Sequence, residues 1–67
     1  MRLTEFWDNM NQTFGPGYAS SVAADQTLRQ LGGRTVDEAI DAGWDIKDVW
    51  IAVCHAYGDR VPSRIRR

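Results

Sequence analysis

The chain has 67 residues, 43% of them hydrophobic, and a formal net charge of −1. This length allows a single domain. One cysteine and one histidine exclude an internal disulfide bond and a zinc site built from several Cys and His ligands. The net charge by itself favours neither a nucleic acid nor a membrane as partner.

No export signal is recognisable near the start of the sequence. Glu5 and Asp8 interrupt the apolar run that a signal peptide needs. The longest apolar stretch, residues 49–54, is much shorter than a membrane span. A lone thiol is typical of reducing compartments. We therefore expect a cytoplasmic protein that does not contact a membrane.

The first predicted element is an amphipathic helix over residues 4–14. Thr4 is its predicted N-cap. Gly15 is the predicted left-handed residue that ends it, and Pro16 cannot continue the helix. The apolar residues recur at three- and four-residue spacing, as one face of a helix requires. This face consists of Leu3, Phe6, Trp7, Met10 and Phe14.

Residues 18–31 are compatible with one helix or with two. Tyr18 and Val22 share one face of an ideal helix. The remaining apolar residues point about 130° away from it and are Ala24, Leu28 and Leu31. We therefore favour a break near Asp25, which would cap a short helix over residues 26–31. Gly32 and Gly33 end this region.

Two further helices have recognisable ends. Thr35 and Glu38 form a capping box, in which each side chain accepts a hydrogen bond from the other residue's backbone amide. Gly43 is predicted to end this helix in a Schellman turn that brings Trp44 back onto its last turn. Asp45 is the predicted cap of the last helix. The buried face of this helix is the clearest periodic signal in the chain. It consists of Ile46, Val49, Trp50, Val53 and Tyr57.

These elements predict an all-α fold, a compact bundle of four or five short helices with a basic C-terminal tail. No strand pattern is visible. The helical domain would cover residues 1–58 and end at Gly58. Residues 59–67 carry four arginines against Asp59 and are predicted to be a flexible tail.

Four sequence motifs extend over residues 1–58. They are Met-Arg-Leu-Thr-Glu-Phe-Trp at 1–7, the turn from Phe14 to Tyr18, Leu31 to Thr35, and Asp48-Val49-Trp50. Together they resemble a small actinobacterial family catalogued as domain of unknown function 3046. The resemblance implies a short cytoplasmic protein, often encoded beside recombinase A and its regulator, and hence a link to DNA recombination or repair. It implies no catalytic residue.

The sequence predicts no catalytic, cofactor-binding or metal site. Cys54 and His55 are neighbours in a helix and point about 100° apart, so they cannot hydrogen-bond as a Cys–His dyad does. Four of the five carboxylates between residues 37 and 48 cap helices or lie in first turns, and the spacing of the five does not match a calcium loop. We read them as a solvated acidic face, with docking of a basic partner as the alternative.

Residues 35–53 have the spacing of a helix-turn-helix unit, given by Ala39, Gly43 and Val49. The second helix of such a unit should offer basic or amide side chains to the major groove. Here residues 35–58 carry five carboxylates against Lys47, a net charge of −4. DNA phosphates would be repelled, so DNA binding through this unit is the weaker hypothesis.

Two functions remain open. The preferred one is a non-enzymatic protein-interaction module whose partner is another protein. Its surface would include Trp44, Lys47, Ile51 and His55, because Ile51 lies off the buried face of the last helix. The alternative is an accessory nucleic-acid-binding protein with weak, salt-sensitive contacts through the helix-turn-helix-like unit or the C-terminal arginines. These arginines are Arg60, Arg64, Arg66 and Arg67.

Overall fold

The computed structural model describes residues 1–66. Its elements are α1 (Leu3–Phe14), α2 (Ala19–Asp25), β1 (Thr27–Leu28), β2 (Arg34–Thr35), α3 (Val36–Asp41) and α4 (Ile46–Ala56). The prediction of a compact, mostly helical fold with four short helices is confirmed. The all-α class is not, because β1 and β2 form a small sheet.

Helix α1 begins one residue earlier than predicted. Its N-cap is Arg2 rather than Thr4. The backbone N–H of Arg2 donates to the Glu5 carboxylate at 3.1 Å, so Glu5 supports this earlier start. Leu3 then lies in the first turn, beyond the end of the core, and is 46% exposed. The part of the predicted apolar face that reaches the core is Phe6 and Met10, with Trp7 and Phe14 packed beside them.

The turn from α1 to α2 is built around Gly15. Its N–H donates to the Asn11 carbonyl at 2.8 Å, and its own carbonyl accepts from Tyr18 and Ala19 at 3.1 and 3.0 Å. Gly15 has φ 97° and ψ 146°. It therefore has a positive φ, as predicted, but not the left-handed helical conformation. A residue with a side chain would be strained here.

The chain breaks after Asp25, as predicted, but the segment that follows is not a helix capped by Asp25. Instead, β1 pairs with β2 in antiparallel register, Thr27 opposite Thr35 and Leu28 opposite Arg34. A single 3₁₀ turn over Arg29–Leu31 separates them. Two-residue strands are too short to show the alternation by which strands are recognised in a sequence.

Two glycines reverse the chain between the 3₁₀ turn and β2. Gly32 has φ 68° and ψ 29°, the left-handed conformation. Gly33 has φ 82°. Its N–H donates to the Leu28 carbonyl at 3.0 Å, which closes the hairpin.

Both predicted caps of α3 are present. The Glu38 N–H donates to the Thr35 hydroxyl at 3.1 Å, and the Thr35 N–H donates to the Glu38 carboxylate at 2.8 Å. At the other end, Gly43 has φ 90° and donates to the Ile40 carbonyl, while Trp44 donates to the Ala39 carbonyl. These two bonds, each 3.1 Å, make the Schellman motif.

Helix α4 supplies the centre of the core. Asp45 accepts a hydrogen bond from the Lys47 N–H at 3.0 Å, which confirms the predicted cap. Val49, Trp50 and Val53 are at most 1% exposed. The Trp50 ring meets Phe6 of α1 edge-on, with the ring centroids 6.0 Å apart, so the two longest helices are joined through aromatic side chains.

Residues 57–66 continue past α4 as a series of turns and pack back onto the helices. Val61 is 2% exposed and belongs to the core, and Ile65 packs against it. The Arg64 guanidinium donates to the Gln12 side chain at 2.9 Å. The packed core therefore extends past Gly58, the predicted end of the helical domain, into the segment that was predicted to be a flexible tail. Four arginines marked the segment as polar, but Val61 and Ile65 provide apolar contacts.

Candidate protein-interaction site

The outward face of α4 carries three of the four residues predicted for protein binding. Lys47, Ile51 and His55 are four residues apart, so they lie above one another on the same side of the helix. Lys47 and His55 are exposed, and Ile51 is half-buried. The burial of Val49 and Val53 on the opposite side fixes this orientation.

Two depressions meet at Ile51. One, of about 460 Å³, is lined by Met1, Lys47, Trp50 and Ile51. The other, of about 330 Å³, is lined by Ile51, Cys54, His55, Gly58 and Arg66. We call the two together the Ile51 groove. It runs along α4 and is bordered by residues from both ends of the described chain.

Trp44, the fourth predicted binding residue, does not line the Ile51 groove. It is half-buried and packs against the core. The Schellman motif explains this position, because the Trp44 N–H bonds back to the Ala39 carbonyl at 3.1 Å and turns the residue toward α3. Trp44 therefore packs at the junction between α3 and α4, apart from the Ile51 groove, and its role in partner binding stays a prediction.

Sequence reasoning missed Met1 and Arg66 as lining residues. Met1 is 45% exposed although it is apolar. The Arg66 guanidinium donates to the Val61 carbonyl at 3.1 Å, which holds its charge beside α4. Both lie outside α4 in the sequence. The buried position of Val61, which brings the C-terminal residues back, could have indicated Arg66, and no sequence signal indicated Met1.

The Ile51 groove differs in charge from the surface beside it. None of its eight lining residues is a carboxylate, and Lys47 and Arg66 are cationic. Lys47 is the second residue of α4, where the helix dipole favours an anion rather than a cation. The charge of Lys47 is therefore not explained by stabilisation of the helix end.

The five carboxylates between residues 37 and 48 are exposed and lie on α3, at the cap of α4 and in its first turn. Glu38 and Asp45 are used as caps. In residues 1–66, no three side chains of His, Cys, Asp or Glu come together in a way that could hold a metal ion. Cys54 is only 9% exposed and His55 faces solvent, so the two neighbours are placed as the helical geometry predicts.

The arginines predicted to bind nucleic acid do not form one cluster. Arg64 contacts α1 through Gln12, and Arg66 lies at the Ile51 groove. Arg60 lies at a third depression, of about 390 Å³, which Asp59 and His55 also line. Arg67 lies outside the described residues.

The fold and the groove together define a small, mostly helical domain with an amphipathic surface groove. The chain belongs to the family described as "Protein of unknown function (DUF3046)", whose model matches residues 1–64. The family predicted from the four motifs is thus confirmed, and its match extends past Gly58 to include Val61. Comparison with curated proteins and with solved structures finds no match. Among residues 1–66, no helix is both long enough and apolar enough to cross a membrane.

Proposed function

We propose that this protein is a non-enzymatic protein-interaction module and that the Ile51 groove is where its partner binds. The observation that carries the proposal is the position of Ile51. This half-buried side chain lines both depressions, beside the 45% exposed Met1. Exposed apolar surface framed by polar residues is typical of binding sites.

The reactive side chains are poorly placed for catalysis. A Cys nucleophile needs an accessible thiol with a base in hydrogen-bonding reach. Cys54 is 9% exposed, and His55 projects to solvent from the next position on α4. The carboxylates at Glu38 and Asp45 accept backbone hydrogen bonds as caps. These arrangements support a module that binds rather than converts its partner.

Nucleic-acid binding is the alternative function, through the C-terminal arginines or through α3 and α4 as a helix-turn-helix-like unit. The arginines point to different neighbours rather than to one strip. The outward residues of α4 include Asp48 as well as Lys47, and α3 carries only acidic charges. These features weaken attraction to phosphates, so we favour a protein partner.

The proposal places the module in the cytoplasm, because a protein with one free cysteine suits a compartment that keeps thiols reduced. The family resemblance adds a link to DNA recombination or repair. This link rests on the neighbouring genes that the resemblance implies, and it concerns the process rather than the binding surface.

Affinity capture from the native cytoplasm, with and without nuclease, tests the proposal. The wild-type chain is compared with Ile51→Glu, which places a charge at the centre of the groove. Tyr18→Glu is the matched control, since Tyr18 is 54% exposed and lies at the turn between α1 and α2. Circular dichroism and thermal unfolding establish that both variants fold.

We expect a partner that survives nuclease treatment, is lost with Ile51→Glu and is kept with Tyr18→Glu. Binding energy in interfaces is concentrated in a few central apolar positions, so one charge there should remove most of it. A partner retained equally by both variants would show that the groove is not the binding site. A partner removed by nuclease would favour the nucleic-acid alternative.

A further inference from the structure

Resting on the proposed function, we propose that the Ile51 groove binds an acidic amphipathic helix of a partner protein. Its apolar side would cover Ile51 and Met1, and its carboxylates would meet Lys47 and Arg66. The structure supplies three arguments for this occupant, which are the charge of the groove, its direction along α4 and the absence of β1 and β2 residues from its lining.

The charge argument depends on the contrast between the groove and its surroundings. Residues 35–58 carry five carboxylates against Lys47, yet the lining of the groove contains Lys47 and Arg66 and no carboxylate. These two cations would repel a basic partner. An acidic partner would pair with them, and complementary charge at the border of an apolar contact directs partner choice.

The placement of Lys47 strengthens this argument. A cation in the first turn of a helix interacts unfavourably with the helix dipole, and Lys47 is the second residue of α4. Its backbone N–H is already satisfied by Asp45, so the side chain contributes nothing to the cap. Its charge is left available for a partner.

The shape of the groove favours a helix as occupant. Lys47, Ile51 and His55 follow the axis of α4 over eight residue steps, about 12 Å at the rise of an α-helix. This length matches about two turns of a bound helix with apolar residues at i, i+3 or i+4, and i+7. A strand would need an open sheet edge, and the lining of the groove contains no residue of β1 or β2.

A nucleic acid fits the groove less well. Two cations would neutralise about two phosphates, which gives a salt slope of only about −2. Stacking of bases requires an exposed aromatic face, and Trp50, the aromatic residue of the lining, is fully buried.

Two synthetic helical peptides with the same leucine stripe test the inference. One carries glutamates beside the stripe, and the other carries lysines at the same positions. Each is titrated into the isotope-labelled full chain, and amide shifts are followed by NMR. We expect the acidic peptide to bind at least about tenfold more tightly than the basic peptide, and its affinity to fall with added salt. Its binding should shift the amide signals of Lys47, Ile51, His55 and Arg66.

Charge reversal at the groove provides the matched comparison. Lys47→Glu should lower the affinity for the acidic peptide about tenfold. It should also reduce the difference in affinity between the acidic and the basic peptide. Arg29→Glu is the control, because Arg29 is an exposed arginine in the 3₁₀ turn, outside the groove. It should leave both affinities unchanged. Equal effects of the two variants would show that only the overall charge matters and would overturn the inference.

The inference also fails if the basic peptide binds as tightly as the acidic one, if the shifts fall on α3, or if a double-stranded oligonucleotide occupies the groove more tightly than the acidic peptide. The first two results leave the proposed function intact, because a partner could still bind through Ile51. The proposed function fails separately, when the captured partner is insensitive to Ile51→Glu.

Discussion

The indole N–H of Trp50 donates a hydrogen bond to the backbone carbonyl of Ile65 at 3.0 Å, across 15 positions of the sequence. A buried indole needs such an acceptor, because an unsatisfied donor in the core costs free energy. The bond connects the centre of α4 to the C-terminal turns, and it explains why Trp50 is fully buried in a chain this short.

Removal of the Trp50 ring should nearly unfold the domain. Trp50→Ala is expected to lower the free energy of unfolding by about 3–5 kcal/mol, because it deletes the largest buried side chain. The total for a chain of this length is roughly 3–10 kcal/mol. Thermal unfolding measured by circular dichroism checks this, and a variant that melts within a few degrees of wild type would contradict the buried position.

Trp50→Phe separates the hydrogen bond from the bulk of the ring. It keeps an aromatic side chain beside Phe6 but leaves the Ile65 carbonyl without its donor. We expect a smaller loss in the free energy of unfolding than for Trp50→Ala, with about 0.5–1.5 kcal/mol from the bond itself. Faster amide hydrogen exchange over residues 61–66 should accompany it. Exchange that increases equally throughout α1 would indicate a general loss of packing.

Val61 should behave as a core residue although it follows α4 in an arginine-rich segment. Val61→Ala is expected to cost about 1–3 kcal/mol, since Val61 is 2% exposed. Ser63→Ala, at an exposed position two residues away, should change the free energy of unfolding by less than about 0.5 kcal/mol. Urea unfolding of both variants measures the difference.

Deletion after Gly58 should destabilise the fold for the same reason, so point variants of the arginines are the cleaner test of nucleic-acid binding.

The capping box at Thr35 should contribute measurably to stability. Thr35→Ala is expected to cost about 1–2 kcal/mol, because the Glu38 amide loses its acceptor. Thr35→Ser should recover most of this loss. Because Thr35 is 8% exposed, removal of its methyl group should still cost up to about 0.8 kcal/mol.

The matched control for the capping box is Thr4→Ala. Thr4 was the predicted cap of α1, but that cap is Arg2, so the substitution should be nearly silent in thermal unfolding. A loss at Thr4 as large as that at Thr35 would restore Thr4 as the cap of α1.

The glycines of the hairpin can be tested against a glycine in open space. Gly32→Ala should cost about 1–2 kcal/mol, because Gly32 has φ 68° and the new Cβ would lie 2.7 Å from the Arg34 guanidinium. Gly17→Ala meets nothing within 4 Å, and it should be neutral or stabilising by up to about 1 kcal/mol. Chemical denaturation of the two variants measures this contrast. Similar losses at both positions would mean that the conformation of Gly32 is not what matters.

Much of the fold could be predicted because the ends of its helices are marked by residues that lie close together in the sequence. The Thr35–Glu38 box and the Schellman motif at Gly43 each depend on residues within five positions of one another, and both were found. The buried face of α4 was found because eleven residues are enough for a helical period to appear. These local signals oriented Lys47, Ile51 and His55 correctly.

The features that could not be predicted from the sequence depend on contacts between residues that are distant along the chain. The two-residue strands have no period of their own, and their pairing is set by the turn at Gly32 and Gly33. Val61 and Ile65 are isolated apolar residues among arginines and show no periodic pattern, so nothing near them in the sequence indicated burial. Without Val61 in the core, Arg66 could not be placed beside α4, and one of the two cations of the Ile51 groove was missed.

The convergence of Met1 and Arg66 on α4 has a practical consequence for work with this protein. Met1 and Arg66 both line the groove, so a purification tag or fluorescent protein fused before Met1 or shortly after Arg66 would compete with a bound partner for space. The exposed turn at Gly17, where no atom lies within 4 Å of an added Cβ, is a safer attachment point. Fusion screens that use the ends of the chain should therefore lose interactions that a label at Gly17 retains.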